Sequence, residues 1–402
     1  LAGVDIELVR ICDKDIRSDR GFKVERKLLT TDPAKVLYDP AIDIVIELIG
    51  GVHPAKEIVM HALKNRKHVV TANKALLAHE GAQIFAAAAK AGRSVFFEAS
   101  VGGGIPIIKA LREGLVANKI EEIYGIINGT CNYILSRMSD EGCALPEVLK
   151  EAQRLGYAEA DPTLDITGAD TAHKLAVLCG LSFSVLPSAE QIYCEGITAI
   201  EPCDIQYGKE MGYAIKLLAI AKRSGERLEI RVHPTLIPKT HLLANVKDVY
   251  NAVYVKGDLT GETLFYGKGA GRLPTASAVI ADVVDLAKML ARETGNSPAS
   301  DSIPSAESIP VIQKMSRVRS RYYLRFTTLD QPGVLARIAG ILGKHGISIA
   351  SVTQKEERGG RAVPIVIMTH TAEESGLRHA LASIDRLAVI KKKTAYIRME
   401  PL

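Results

Sequence analysis

Through the first hundred residues, short apolar runs alternate with stretches of helical spacing. Residues 4–12 read as a strand, closed by the charged patch Asp13-Lys14-Asp15. Residues 43–48 read as a second strand, ended by Gly50-Gly51, and 67–71 as a third. Between them 54–65 carries helical periodicity, and 73–91 is an alanine-rich helix. Residues 94–99 close the series as a strand before Gly102-Gly103-Gly104. Strands alternating with helices predict a parallel, doubly wound sheet. Ligands of such sheets bind at the carboxyl ends of the strands.

A dinucleotide-binding fold opens with a strand and a G-x-G-x-x-G turn, then sets an acid or a base after its second strand. Residues 4–12 stand where that second strand belongs, and no strand or glycine turn precedes them. The sheet is therefore expected to be incomplete on its N-terminal side. An acid at this position suits the ribose of NAD and a base the extra phosphate of NADP. Asp13 and Lys14 pull opposite ways.

Further on, Asn128-Gly129 reads as a turn entering a helix. Segments 228–237 and 247–256 read as strands of a mixed sheet, and 276–293 as a long helix. Residues 296–310, rich in Ser and Pro, read as a linker. Beyond it come a strand at 322–327, a helix at 334–345, strands at 347–352 and 362–369, a helix at 372–384 and a strand at 389–397. That βαββαβ order is a ferredoxin-like split unit.

With 402 residues, two or three domains are expected. An apolar share of 47% and a charged share of 24% are those of ordinary globular chains. The net charge of +5 is small for this length, and no basic stripe interleaves with aromatics, so nucleic acid is not an expected partner. No apolar run approaches the roughly 18 residues of a membrane span. Six cysteines without a C-x-x-C pair, and no visible signal peptide, lead us to expect reduced thiols and a cytoplasmic location.

The densest chemistry lies in Gly156-Tyr157-Ala158-Glu159-Ala160-Asp161-Pro162, followed by Asp165, Asp170 and Lys174. Gly156 and Pro162 punctuate a loop. A helix is expected from Thr167, with Asp170 in capping-box order and Gly180 as its end. Ala172, Leu175, Ala176 and Cys179 form its core stripe. Asp170 and Lys174, four apart, share the opposite, polar face. A surface ion pair beside a capping acid is the bland reading. Four carboxylates crowding one lysine argue for a site instead.

This stretch resembles the signature of homoserine dehydrogenases, G-Y-A-E-A-D-P, then D, then D-x-x-x-K. Asn128-Gly129-Thr130-Cys131-Asn132-Tyr133-Ile134-Leu135 resembles the family's N-G-T-x-N-Y-I-L. Gly267-Lys268-Gly269-Ala270-Gly271-Arg272-Leu273-Pro274-Thr275-Ala276-Ser277 resembles its G-x-G-A-G-x-x-P-T-A-S. Leu329-Asp330-Gln331-Pro332-Gly333-Val334-Leu335 resembles the first loop of ACT domains. The resemblance covers nearly the whole chain. It implies a Rossmann-like nucleotide domain over 1–125, completed by about 275–310. A mixed α+β catalytic and dimerisation domain would span 126–274, and an ACT regulatory domain 321–402. By comparison with the family, about the first 30 residues, with the first strand and the glycine-rich loop, are expected to be absent.

The implied reaction interconverts L-homoserine and L-aspartate 4-semialdehyde with NAD or NADP, in threonine, methionine and isoleucine biosynthesis. Lys174 would give a proton to the developing alkoxide, oriented by Asp170. Glu159 would hold the substrate's α-ammonium, supported by Asp165, Asp170 and Thr130. Lys74, Thr71, Gly156, Gly271 and Asp13 would meet the cofactor. Glu98 with Val101, Gly103 and Ile105 would hold a structural monovalent cation, sodium, through oxygen ligands. The family implies a homodimer or homotetramer and an amino-acid effector, threonine, at the ACT domain. Two rivals stand beside this. One is an acyl-phosphate-reducing semialdehyde dehydrogenase with Cys131 as its thiol nucleophile. The other is an amino-acid sensor with an inactive dehydrogenase core.

Overall fold

The computed structural model describes residues 3–292, 310–355 and 362–402. The chain first forms strand β1 (Ile11–Cys12), parallel to β2 (Leu29–Thr30). The strand expected over 4–12 shrinks to these two residues. A strand persists where a neighbour takes its N–H and C=O groups, and the ladder with β2 pairs only Ile11 and Cys12. Ile6 and Leu8 are exposed, so the alternation before β1 buries nothing.

Next come β3 (Ile44–Glu47), α1 (Ala55–Lys64), β4 (His68–Thr71), α2 (Lys74–Ala91) and β5 (Val95–Phe96). The three strands form a parallel sheet in the order β3-β4-β5. The alternation in the sequence predicts this arrangement. Val69 and Val70 of the central strand are fully buried. Asn73 starts α2 by accepting the Leu76 N–H at 3.0 Å, and Gly92, with φ +62°, ends it.

β6 (Ile120–Ile126), α3 (Gly129–Glu141), α4 (Leu145–Arg154), the short α5 (Thr163–Ile166), α6 (Ala169–Phe183), β7 (Tyr193–Cys194) and α7 (Pro202–Glu210) follow. Then come β8 (Tyr213–Ser224), β9 (Arg227–Pro238), β10 (Tyr250–Gly257), β11 (Gly261–Lys268) and α8 (Arg272–Arg292). The Ser/Pro-rich stretch read as a linker lies, apart from Pro310, outside the described residues. After it come β12 (Val311–Ile312), β13 (Arg319–Thr328), α9 (Val334–Lys344), β14 (Ile349–Gln354), β15 (Val363–Thr369), β16 (Ala372–Glu373), α10 (Glu374–Ile384) and β17 (Ile390–Met399).

Two compact units result: 1–120 with 173–190 and 256–309, and 121–172 with 191–255 and 310–402. In the second unit one sheet runs β10-β6-β8-β9-β17-β13-β15-β14. β8 and β9 pair antiparallel over their whole length, Tyr213↔Pro238 to Ser224↔Arg227. β8 escapes a reading of the sequence because Ile215 to Ala221 are all buried. A strand covered on both faces loses the polar alternation, and here only Lys216 interrupts the apolar run, so periodicity cannot tell it from a buried helix.

The C-terminal βαββαβ order agrees with the sequence. Tyr322, Leu324, Phe326, Ile338, Leu342, Ile365, Ile367, Leu377 and Ile384 form its own core. Its last strand does more than close that core. β17 pairs antiparallel with β13 and, through Arg398↔Thr235 and Met399↔Leu236, parallel with β9.

Candidate active site

In the second unit the acid loop is held from below by Asn128. Its Oδ1 accepts the Cys131 N–H at 2.8 Å and so caps α3. Its amide nitrogen donates to Asp165 Oδ1 at 2.7 Å and to Asp170 Oδ2 at 2.9 Å. One buried amide thus fixes the spacing of two of the predicted carboxylates. Asn128 was visible in the sequence only as half of an Asn-Gly turn. The signal that could have found it is its place in N-G-T-x-N-Y. Thr130, also buried, donates to the Tyr157 carbonyl at 2.7 Å and ties the loop to α3. Gln153 donates to the carbonyls of Glu159 and Ala160, both at 3.2 Å. Glu159 is left exposed. Asp161 takes the Thr163 hydroxyl and N–H, which hold its carboxyl below the usual range. Gly156 sits at φ +76° in open space.

The helix expected to start at Thr167 is two helices. α5 ends at Ile166 with Thr167 as its C-cap, and Gly168, at φ +87°, turns the chain into α6. Gly180 does not end α6. It is buried inside it, where packing outweighs the roughly 1 kcal/mol that a helical glycine costs. Ser184, at φ +57°, follows the last turn. Asp170 and Lys174 lie one turn apart on α6, as the spacing predicts, but not on an exposed face. Asp170 is 6% exposed and Lys174 9%. A charged pair that far from water requires specific partners, and for Asp170 one of them is Asn128.

In the first unit the ends of β3 and β4 converge on a residue that sequence reasoning missed. Glu47, 1% exposed, accepts the N–H groups of Ile49 and Gly50 and the Thr71 hydroxyl at 2.6 Å. Thr71 is thereby buried, with Lys74 half-buried at the start of α2. Asp13 accepts the Asp15 N–H and pairs with Arg20 at 3.1 Å, and these hold its carboxyl below its ordinary value. The two glycine loops singled out in the sequence meet each other. A Cβ on Gly103, at φ +54°, would stand 2.5 Å from the Gly269 carbonyl oxygen, and the Gly104 N–H donates to Lys268 at 3.0 Å. Gly271 holds φ +119°.

Glu98 is buried, and its two oxygens accept the N–H groups of Ile108 and Lys109 at 2.9 and 2.8 Å. Burial nevertheless raises its pKa. The Glu98 N–H donates to Asp282, whose carboxyl burial pushes up to about 7. The Ile105 carbonyl accepts the Ile107 N–H at 2.8 Å. Among the described residues no group of three or more His, Cys, Asp or Glu could hold a metal ion.

Three family models match in succession. They are the homoserine dehydrogenase NAD binding domain over residues 2–98, homoserine dehydrogenase over 106–284 and the ACT domain over 322–389. A homoserine dehydrogenase of Neisseria gonorrhoeae is 46% identical over 401 residues, covering all of this chain and 92% of that protein. The chain belongs to the homoserine dehydrogenase family. Among solved structures, a homoserine dehydrogenase from Thiobacillus denitrificans superposes with a TM-score of 0.87 at 52% identity, over 93% of this chain and 85% of that one. A hyperthermophilic archaeal homoserine dehydrogenase in complex with NADPH superposes at 0.56 with 29% identity, over 63% of this chain and 74% of that one.

Family membership settles the fold class. A Rossmann-like NAD-binding domain, a mixed-sheet catalytic domain and an ACT domain are all present. It also disfavours the rival built on Cys131. That thiol is fully buried and donates to the Asp165 carbonyl at 3.2 Å, which is not the setting of an activated nucleophile. One consequence of the glycine contact can be tested directly. Gly103→Ala is expected to push the 101–105 and 267–271 loops apart and weaken NAD(P)H binding by about tenfold or more, since ~1.4 kcal/mol already gives that factor. Fluorescence titration measures it, and an unchanged Kd would show that the contact does not shape the cofactor site.

Proposed function

We propose that this chain catalyses the NAD(P)-dependent interconversion of L-homoserine and L-aspartate 4-semialdehyde. The observation that carries this reading is the buried Asp170–Lys174 turn of α6, joined through Asn128 to Asp165 in the acid loop. Bound at the carboxyl ends of β3 to β5, the nicotinamide would exchange a hydride with the carbonyl carbon. Lys74, Thr71, Asp13 and Gly271 are the residues assigned to that cofactor, and the close-packed glycine loops suit the near approach of a flat ligand.

The protein's own part is charge and position. In the reducing direction the Lys174 ammonium donates its proton to the oxygen that becomes the alcohol. In oxidation the neutral amine takes that proton back. Asp170, held by Asn128, orients the amine. Exposed Glu159 receives the substrate's α-ammonium, with Asp165 and Thr130 fixing the loop that carries it. Glu159→Gln is expected to raise the KM for homoserine about tenfold, the loss of one charge-assisted hydrogen bond of ~1.5 kcal/mol. The KM for the cofactor should stay put, and an unchanged homoserine KM would remove Glu159 from the substrate.

Glu98 with the carbonyls of Val101, Gly103 and Ile105 suits a hard monovalent cation such as sodium, because every donor is oxygen. Such an ion would be structural. The ACT domain supports an amino-acid effector, for which threonine is our candidate, and a homodimer or homotetramer as its setting. All six cysteines are free thiols, which suits the cytoplasm. No helix among the described residues is long and apolar enough to cross a membrane.

A further inference from the structure

The residues between β7 and α7 have no place in the chemistry above, yet they lie against the stretch that connects the two site carboxylates. The Ile197 N–H donates to the Ile166 carbonyl at 2.9 Å. Gly196 packs so tightly there that a Cβ would fall 1.9 Å from the same oxygen. Cys194 Sγ donates to the Thr167 carbonyl at 3.3 Å, and a Cβ on Gly168 would come within 3.0 Å of that sulfur. Residues 194–197 therefore clamp 166–168, the connection between α5 and α6. Asp165 precedes this connection and Asp170 follows it, and Asn128 bridges the two.

The clamp is anchored by β9 and by the C-terminal domain. The Glu195 N–H donates to the Val232 carbonyl at 2.8 Å, extending the pairing of β7 with β9. The Glu195 carboxylate receives the Tyr193 hydroxyl at 2.7 Å and Nη1 of Arg398, on β17, at 3.0 Å. Arg398 is 1% exposed and also grips Glu374 with two nitrogens, at 3.0 and 2.7 Å. Glu374 also accepts Arg378 Nε at 2.8 Å, so Glu195 supplies the second carboxylate that faces Arg398. Beyond Glu374 the Arg398 guanidinium donates to Glu195, whose side chain is 29% exposed, and to the Tyr193 hydroxyl at 3.0 Å.

The geometry points to Glu195 as a positioning residue: by holding Arg398 of the last strand it seats the clamp that spaces Asp165 and Asp170, so the substrate loop rests on the ACT domain. This rests on the acid loop being the substrate site. Buried packing alone would not select a charged, part-exposed side chain for this contact, and an apolar residue would cover β9 as well. The carboxylate is suited to reading where Arg398 stands.

The test is steady-state kinetics of the whole enzyme carrying Glu195→Ala or Glu195→Gln. Arg398 keeps Glu374 and the Tyr193 hydroxyl, and Glu195, unlike Glu400, is part-exposed, so both variants should fold with thermal midpoints near that of the parent. Glu195→Ala is expected to lower kcat/KM for homoserine about 5- to 50-fold, mostly through KM, the scale of a small misplacement or of a modest coupling between sites. The cofactor KM should change less than about twofold. Glu195→Gln keeps an oxygen acceptor for Arg398 and should recover most of the loss. An unchanged homoserine KM in Glu195→Ala overturns the proposal, as does an equal rise in both KM values, which would signal general loosening. If Glu195→Ala folds poorly, Glu195→Met takes its place, keeping the bulk but removing the acceptor for Arg398: a thermal midpoint near the parent's with homoserine KM raised at least twofold supports the strut, and no change in that KM rejects it. Should Glu159→Gln raise the homoserine KM while Glu195→Ala does not, only the strut fails. If neither moves it, the substrate-site reading fails with it.

Discussion

Replacing Lys174 by methionine is expected to lower kcat by about 10²–10⁴ in both directions, the range for a positioned acid–base group. Methionine is chosen because the site is buried. Alanine would add a cavity to the loss of the ammonium and confuse stability with chemistry. Thr171 and Leu175, on either side of the lysine, are fully buried, so α6 should keep its seat around an apolar chain of similar volume. Asp170 would retain the Asn128 amide at 2.9 Å and so would not be orphaned. The expected signature is a collapsed kcat, a cofactor KM within about threefold of the parent and a nearly unchanged thermal midpoint. Turnover close to the parent would mean that a water or another side chain moves the proton.

The second large effect is on stability. Glu400, following β17, accepts Arg231 of β9 at 2.8 Å and Lys222 of β8 at 3.1 Å. Arg231 is 1% exposed, and Glu229 at 3.1 Å is its other carboxylate. Burial works against the Glu400 charge, but Arg231 and Lys222 outweigh it and hold the carboxyl below its usual range. His233, 2.8 Å from Arg231, is kept neutral: burial, Arg398 and Arg231 all push its pKa well down. Glu400→Ala removes the buried partner of a buried charge, a change that costs about 3–5 kcal/mol. For a unit of this size the thermal midpoint should fall by roughly 6–20 °C. Calorimetry of the variant checks it. Substituting Arg231→Met together with Glu400→Met should restore much of the loss, because an apolar pair carries no desolvation penalty. A single-variant loss below about 1 kcal/mol would show that water reaches the pair.

The same contacts change what a deletion should do. From the linker and the separate hydrophobic periodicity, removal of 312–402 is expected to spare the chemistry. In the structure that cut takes away Glu400, and with it Arg325 and Tyr323, which satisfy the buried Asp204 at 2.6 and 3.0 Å. It also strips β17 from the edge of β9. The shortened chain is therefore expected to lose its second unit's fold, so point variants are the means of separating regulation from catalysis.

Local pattern alone determined a good deal. The alternation of β3 to β5 with α1 and α2, the βαββαβ order after residue 310 and the crowding of acids before Lys174 were all legible. Each depends on residues a few positions apart, and side-chain periodicity records that. Only the tertiary structure decided the rest. β8 shows no alternation because it is covered on both faces. Asp170 and Lys174 have the spacing of a surface pair, and only the surrounding packing makes them a buried one. Asn128 looks like a turn residue until α6 brings Asp170 to its amide. Arg231 and Glu400 lie 169 residues apart. A partner that distant leaves no periodic trace near either residue, because the contact exists only once β9 and β17 share a sheet edge.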